Sequence, residues 1–392
     1  IPIFMGGAGL NTDNNFGPYC MEQKIMDCWI RGEGELSVPA YLRGDMNYPG
    51  LNGIPPKQID KIDDLEFPDY SDYELASYTN KKGLVALPIT GSRGCVRACT
   101  FCDIASMWPK YKYRSGHSIA KEIKTQVKRY GAKAFRFTDS LINGSMKAFR
   151  DMTQELSKFR MAMPKNDRFI WDSHFIVRSK RQMPPEDFVK MAESGAGTML
   201  IGVESGSPSV RDHMKKGYSD DDLHYSLGEL FKNNIKVRFL MIIGYPTETQ
   251  DDFKQTLDFF DRYAEYGRNG LVEEINLGLT LNLLPNTPLF DNAKEYGLET
   301  TKQHITDWIC VGNPTLDYRE RLKRRITAQR HVENLGYKVF ESQNYVRALS
   351  IAWNEVQNLK TQTIKVDASK LKFDREKGVL EQRPDFDPLR TY

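Results

Sequence analysis

From Leu84 onward the chain alternates short apolar runs with segments whose apolar residues return every three or four positions. The runs Leu84–Thr90, Ala134–Thr138, Phe169–Ile176, Thr198–Val203, Val237–Ile243 and Ile275–Leu283 have the length and composition of buried strands. Between them, His117–Tyr130, Pro184–Ser194 and Thr249–Tyr266 carry the helical period. Strand then helix, repeated six times, predicts a parallel sheet, because parallel neighbours need a long crossover between them. The expected fold is therefore α/β, with a partial (βα)6 TIM-like barrel over residues 84–300, since the repeat fades after about Gly297 and does not reach eight units.

Upstream the pattern is different. Residues 1–44 predict a strand (Ile1–Met5), a turn at Gly6-Gly7, a helix around Tyr19–Met26, a second strand at Cys28–Ile30 and a turn over Arg31-Gly32-Glu33-Gly34-Glu35. That order is the end of a βαβ unit, so this segment is expected to be the C-terminal part of a Rossmann-like domain. With an apolar strand at its first residue, which is not methionine, the chain is expected to start inside that domain. Residues 45–83 turn to Pro, Asp, Tyr and Asn, with Pro49, Pro55, Pro56 and Pro68 breaking any period, and predict an extended linker wrapped on a neighbouring domain. Residues 301–392 are expected to be a helical extension, helical over Tyr318–Asn358, with a polar tail that the pattern leaves open between docked and disordered.

Charge narrows the partners. Across 392 residues, 55 Lys+Arg against 52 Asp+Glu leave a formal charge of +3, which offers no broad polyanion-binding face and disfavours nucleic acid. No apolar run approaches the roughly 18 residues needed to cross a bilayer, and no leader pattern precedes a cleavage site. The chain is expected to be cytoplasmic, without a membrane partner.

Of six cysteines, Cys20, Cys28 and Cys310 are scattered and read as small buried apolar residues, while Cys95, Cys99 and Cys102 fall on one loop, Gly94-Cys95-Val96-Arg97-Ala98-Cys99-Thr100-Phe101-Cys102, directly after the first barrel strand. Three thiolates in that spacing can ligate three irons of a [4Fe-4S] cubane and leave the fourth open to chelate S-adenosylmethionine (SAM). The competing reading is a zinc site from the same cysteines with His117 or Asp103, although no second two-ligand knuckle follows.

The C-x3-C-x2-C loop with Phe101 before its last cysteine resembles the radical SAM superfamily, over about residues 84–297. That resemblance implies that Phe101 lies beside the adenine, that Asp139 and Ser140 at the end of Phe135-Arg136-Phe137-Thr138-Asp139-Ser140 bind the methionine amino group, and that Glu204, in Leu200-Ile201-Gly202-Val203-Glu204-Ser205-Gly206, meets the ribose. Helix capping is the competing role for Glu204. Gly244-Tyr245-Pro246-Thr247-Glu248-Thr249 is similar to the family's fifth-strand turn and reads as structural. Leu284-Pro285-Asn286-Thr287-Pro288 resembles the sixth-strand exit, with Asn286 where glycine is usual. Gly6-Gly7, the Arg31–Glu35 turn and the Pro-rich linker resemble the end of the domain found in cobalamin-dependent members, which implies cobalamin near Gly6 and Gly7.

The cofactors so implied are the [4Fe-4S] cluster, SAM and cobalamin; the partners are a small-molecule or peptide substrate and a reductant such as flavodoxin or ferredoxin. The implied reaction is hydrogen abstraction by a 5′-deoxyadenosyl radical, followed by methyl transfer or rearrangement. A methylthiotransferase is the second enzyme reading, but only Cys20 and Cys28 precede the loop where that family has three cysteines. An iron–sulfur electron carrier or structural module is the reading outside catalysis. His174, in Asp172-Ser173-His174, is expected to line the barrel. Lys110, Lys112, Arg114 and Arg136 make a basic rim that suits an anionic substrate or is an ordinary solvated face.

Overall fold

The computed structural model describes residues 2–7, 16–79, 83–278, 280–300, 308–340, 371–374 and 379–382. Six strands, β3 (Ala86–Ile89), β6 (Ala134–Phe137), β7 (Ile170–His174), β8 (Ala196–Glu204), β9 (Lys236–Met241) and β10 (Val272–Asn276), form one sheet in the order β10-β9-β8-β7-β6-β3, every pair parallel. Because spatial order follows chain order without reversal, each crossover steps one strand further in the same direction, which winds the helices onto one face as in a barrel.

Alternation along the strands shows which face that is. Leu87 and Ile89, Phe135 and Phe137, Met199, Ile201 and Val203, and Val237, Phe239 and Met241 join a single buried cluster with Phe149, Leu156, Phe188, Leu227, Leu230 and Phe260 from the helices. The residues between them, among them Arg136, Asp172, His174, Leu200 and Arg238, take the other face. The helices start where short polar side chains accept the first free amides. Ser115 caps Gly116–Tyr130, Ser145 caps Met146–Met161, and Ser219 and Thr249 form capping boxes with Asp222 and Asp252.

At the amino end, β1 (Phe4–Gly6) pairs parallel with β2 (Cys28–Ile30) around the helix Phe16–Glu22. The expected Arg31–Glu35 turn runs at once into a helix, Gly34–Leu42, that the glycines at Gly32 and Gly34 had concealed. Residues 45–79 drape over the outside of helix Gly116–Tyr130: Gln126 donates to the Pro68 carbonyl (2.9 Å), Tyr130 to Asp69 (2.7 Å), and Asp63 accepts the Ser115 amide (2.9 Å).

Beyond the sheet, the hairpin β11 (Leu298–Thr300) and β12 (Trp308–Cys310) leads to helix Tyr318–Asn334. Of the helix expected over Tyr318–Asn358 this is the described part: it ends at Asn334, Gly336 takes a φ of +89° and the chain turns back to the sheet, while 341–358 lie outside the described residues. Val339 then bridges Ile275 in parallel, with the Phe340 amide donating to the Ile275 carbonyl (2.8 Å), so the exposed edge of β10 is partly covered. The last barrel strand also begins earlier than expected, at Val272, with Glu273 and Glu274 paired to Arg238. Residues 341–370 lie outside the described residues; the backbones of β13 (Leu371–Asp374) and β14 (Val379–Gln382) form an antiparallel pair. Among the described residues no helix is long and apolar enough to cross a membrane.

Candidate functional site

The cysteine loop is part of an excursion between β3 and helix Gly116–Tyr130. Its neck is closed by β4 (Ser92–Arg93) pairing antiparallel with β5 (Lys112–Tyr113). Gly94 starts the turn at φ +83°, and a Cβ there would sit 3.0 Å from the Lys110 carbonyl oxygen, so both conformation and space require glycine.

Cys95, Cys99 and Cys102 are free and half-buried at the carboxyl end of the sheet. Burial pushes the Cys102 thiol up to about 11 and raises that of Cys99, and both lie close enough to Cys95 for its charge to add to the effect. The loop is held by neighbouring elements. Thr100 is fully buried: its amide donates to the Met214 carbonyl (3.1 Å), its hydroxyl meets the Tyr245 hydroxyl (2.9 Å) and its carbonyl accepts the Leu289 amide (2.8 Å). Arg97 donates to the carbonyls of Gly217 (2.6 Å) and Val177 (3.2 Å). Neither Arg97 nor Thr100 was marked by sequence pattern, since both sit between cysteines whose spacing alone carried the signal.

Among the described residues no three His, Cys, Asp or Glu side chains are gathered closely enough to hold a metal ion. The donor set nonetheless suits the cluster: three thiols on one loop, within Coulomb reach of one another. His117, one of the two fourth ligands of the zinc reading, is paired instead with Glu155 (3.0 Å) and is largely exposed.

Phe101 is half-buried against the cluster that contains Val210, Met214, Tyr245 and Leu289, with the Lys216 ammonium 5.8 Å from its ring centre. That ammonium donates to Glu204 (3.1 Å). Burial opposes the Lys216 charge, but Glu204, with Tyr218 and Cys99 behind it, outweighs burial and keeps the lysine pKa above its ordinary value. Glu204 ends β8 at φ +68°, a left-handed conformation rare for a side-chain-bearing residue, held by the Ile242 amide donating to its carbonyl (2.8 Å). A Cβ on Gly202 would lie 2.2 Å from the Glu204 carboxylate oxygen, so glycine there gives the carboxylate its room. Phe101, Glu204 and the unexpected Lys216 thus form one group.

Asp139 and Ser140 are separated. Asp139 is 1% exposed, accepts the Gly91 amide (2.9 Å) on one oxygen and has a second oxygen without a partner; burial pushes it up to about 6. Its carbonyl is 3.0 Å from Nδ1 of His174, which half-buried lines the face opposite the helices. Ser140 lines a cavity of about 270 Å³ with Thr90, Thr138, Glu33, Glu35, Arg93 and Trp108. Here the amino-terminal segment is stitched to the barrel: Arg93 pairs with both Glu33 and Glu35 and lies over the Trp108 ring at 5.3 Å. Gly6 and Gly7 close β1, Gly7 at φ +123° with nothing within 4 Å of a Cβ built on it. A second cavity on that segment, of about 470 Å³, is lined by Pro18, Met21, Trp29, Arg31, Asn52 and Gly53, without either glycine.

The Gly244–Thr249 turn is structural. Glu248 is fully buried, accepts the Gly244 amide on both oxygens (3.2 Å each) and pairs with Arg324 of the carboxyl-terminal helix (3.0 Å).

Residues 89–260, which hold this loop and the first five strand exits, match the family model of the radical SAM superfamily. This segment is a radical SAM domain. Bacteriochlorophyllide d C-12(1)-methyltransferase of Chlorobaculum tepidum is 25% identical over 232 residues, 58% of this chain and 47% of that protein. Methylthiotransferases of tRNA and of ribosomal protein uS12 are among the curated matches as well. The cobalamin-dependent radical SAM enzyme OxsB, with aqua-cobalamin bound, superposes with a TM-score of 0.62 at 16% identity, covering 90% of this chain and 58% of that one. TsrM of Kitasatospora setae, a radical SAM methyltransferase with cobalamin and a [4Fe-4S] cluster bound, gives 0.57 at 19% identity, covering 78% and 61%. These two likenesses concern the fold. The chain spans about half the length of the curated relative and about 60% of the two solved structures.

Proposed function

We propose that this radical SAM chain is an enzyme in which Cys95, Cys99 and Cys102 hold a [4Fe-4S] cluster beside bound SAM. When bound, the cluster supplies the electron that cleaves SAM to methionine and a 5′-deoxyadenosyl radical able to take hydrogen from substrate. The observation that carries the reading is the anchoring of three thiols, through Thr100 and Arg97, at the carboxyl end of a singly wound parallel sheet. Phe101 offers a ring face for the adenine, and Glu204, oriented by Lys216, offers a carboxylate to the ribose hydroxyls. Ser140, at the cavity wall, is better disposed to meet SAM or substrate than Asp139, which secures the Gly91 turn.

Cobalamin-dependent methyl transfer or rearrangement is the finer reading. It is supported by the likeness to OxsB and TsrM, by the parallel β1–β2 pair that Arg93 ties to the barrel, and by the open backbone at Gly7. A small molecule or peptide is then the substrate, and flavodoxin or ferredoxin the reductant. The methylthiotransferase reading ranks second: curated matches favour it, whereas the likeness to OxsB and TsrM favours the cobalamin reading.

Anaerobic reconstitution with iron and sulfide, followed by electron paramagnetic resonance of the dithionite-reduced protein, tests the site. A [4Fe-4S] signal that changes when SAM is added, and that is lost in the Cys95→Ala/Cys99→Ala/Cys102→Ala variant, is expected. A signal indifferent to SAM would favour the non-catalytic iron–sulfur module.

A further inference from the structure

Of the four cations that made the loop rim basic, two are consumed. Lys112 donates to the Ile59 carbonyl, and Arg114 is buried against Glu122 and the Thr90 carbonyl. Lys110 stays exposed on the loop. Arg136 is different, because it stands on a strand between Phe135 and Phe137. Both phenylalanines enter the core beneath the helices, so Arg136 takes the opposite, open face, where it is exposed.

Its neighbours on that face are already engaged. Register sets Arg136 between Pro88 and Asp172, and the Asp172 carboxylate accepts the Thr198 amide (2.7 Å). Arg238 is paired with Glu273 (2.8 Å) and Glu274 (3.6 Å), and Lys216 with Glu204 (3.1 Å). Among the described residues no ion pair is found for Arg136, although it is near enough to His174 for its charge to act on that ring. Two residues further along the same face, Thr138 meets the Thr90 hydroxyl (2.9 Å), and both line the 270 Å³ cavity with Ser140. A planar guanidinium with five donors lies one layer below a cavity walled by the hydroxyls of Thr90, Thr138 and Ser140 and by Glu33 and Glu35, whose carboxylates are paired with Arg93.

We propose that Arg136 anchors an anionic group of the substrate, a carboxylate or a phosphate, on the open face of the sheet below that cavity. The guanidinium fork matches both groups in a paired, two-bond geometry that a lysine cannot reproduce. The inference rests on the radical SAM reading for the chemistry done at that face, but anion binding itself is measurable without turnover.

The test is isothermal titration of the anaerobically reconstituted protein with inorganic phosphate and, separately, with acetate at fixed ionic strength, which keeps general screening constant. At least one anion is expected to bind the native protein. Arg136→Gln should weaken it tenfold or more, Arg136→Lys should retain part of the affinity, and Lys121→Gln, on the outer helix, should leave it unchanged. The arm that responds distinguishes a carboxylate from a phosphate. Equal binding by native protein and Arg136→Gln, or no binding of either anion by native protein, overturns the proposal. Formation of 5′-deoxyadenosine, assayed on the same preparation, separates this failure from failure of the radical reading.

Discussion

At the scale of single residues, the cysteine loop depends on contacts that do not involve its thiols. Arg97 donates two hydrogen bonds to carbonyls 80 and 120 positions away in sequence, and hydrogen bonds from charged donors contribute about 1.5–3 kcal/mol each. Arg97→Ala is therefore expected to lower the iron retained after reconstitution and desalting by half or more, with Arg97→Lys intermediate; undiminished iron would mean that the cluster alone organises the loop. If Glu204 meets the ribose as proposed, Glu204→Gln should weaken SAM binding about tenfold, read by equilibrium dialysis, because a charged acceptor is lost along with its Lys216 pairing. The Cys95, Cys99 and Cys102 loop was legible without a structure because three cysteines within eight residues are a purely local pattern. Lys216 was not, because its partners Glu204 and Phe101 are distant in the chain and meet only once β8 and the loop are side by side.

At the scale of elements, helix Tyr318–Asn334 is tied to the barrel by buried arginines. Arg324 reaches Glu248 (3.0 Å) and the Thr249 carbonyl (3.0 Å), and Arg321 stacks on Trp308 with its guanidinium 3.7 Å from the ring centre. Removing one partner of a buried pair strands the other, at a cost of about 3–5 kcal/mol, so Arg324→Ala should shift the urea midpoint strongly downward. Burial pushes Glu248 up to about 7 against the pull of Arg324, above its ordinary 4.5. A raised carboxylate binds its proton more tightly in the folded than in the unfolded state. Its contribution to stability is thus complete below pH 4.5 and is lost as pH rises through about 7. Stability of the native protein should fall between pH 4.5 and 7 more steeply than that of Glu248→Gln; identical slopes would contradict the assignment. Six strand–helix units were readable because core-facing residues repeat every second position. Helix Gly34–Leu42 was hidden by its glycines, and the Val339 bridge to β10 by a helical pattern that runs on past Asn334, where the helix itself ends.

At the scale of the whole molecule, the amino-terminal segment and the barrel meet at Arg93, the residue that immediately precedes the cysteine loop. Sequence placed a linker between them but gave no sign of this contact, since ion pairing between Arg93 and Glu33 depends on how residues 45–79 return the chain to the sheet. Arg93→Ala should release the segment, seen as faster limited proteolysis within residues 45–83, while the barrel core resists; an unchanged cleavage rate would show that the draped linker suffices. The account as a whole stands on cleavage of SAM at the anchored thiols. Its most direct test is 5′-deoxyadenosine produced by the anaerobically reconstituted protein with dithionite and SAM. Product from the native protein, and none from the variant with Cys95, Cys99 and Cys102 changed to Ala, is the expected result. A complete [4Fe-4S] cluster that yields no deoxyadenosine in excess reductant would contradict it.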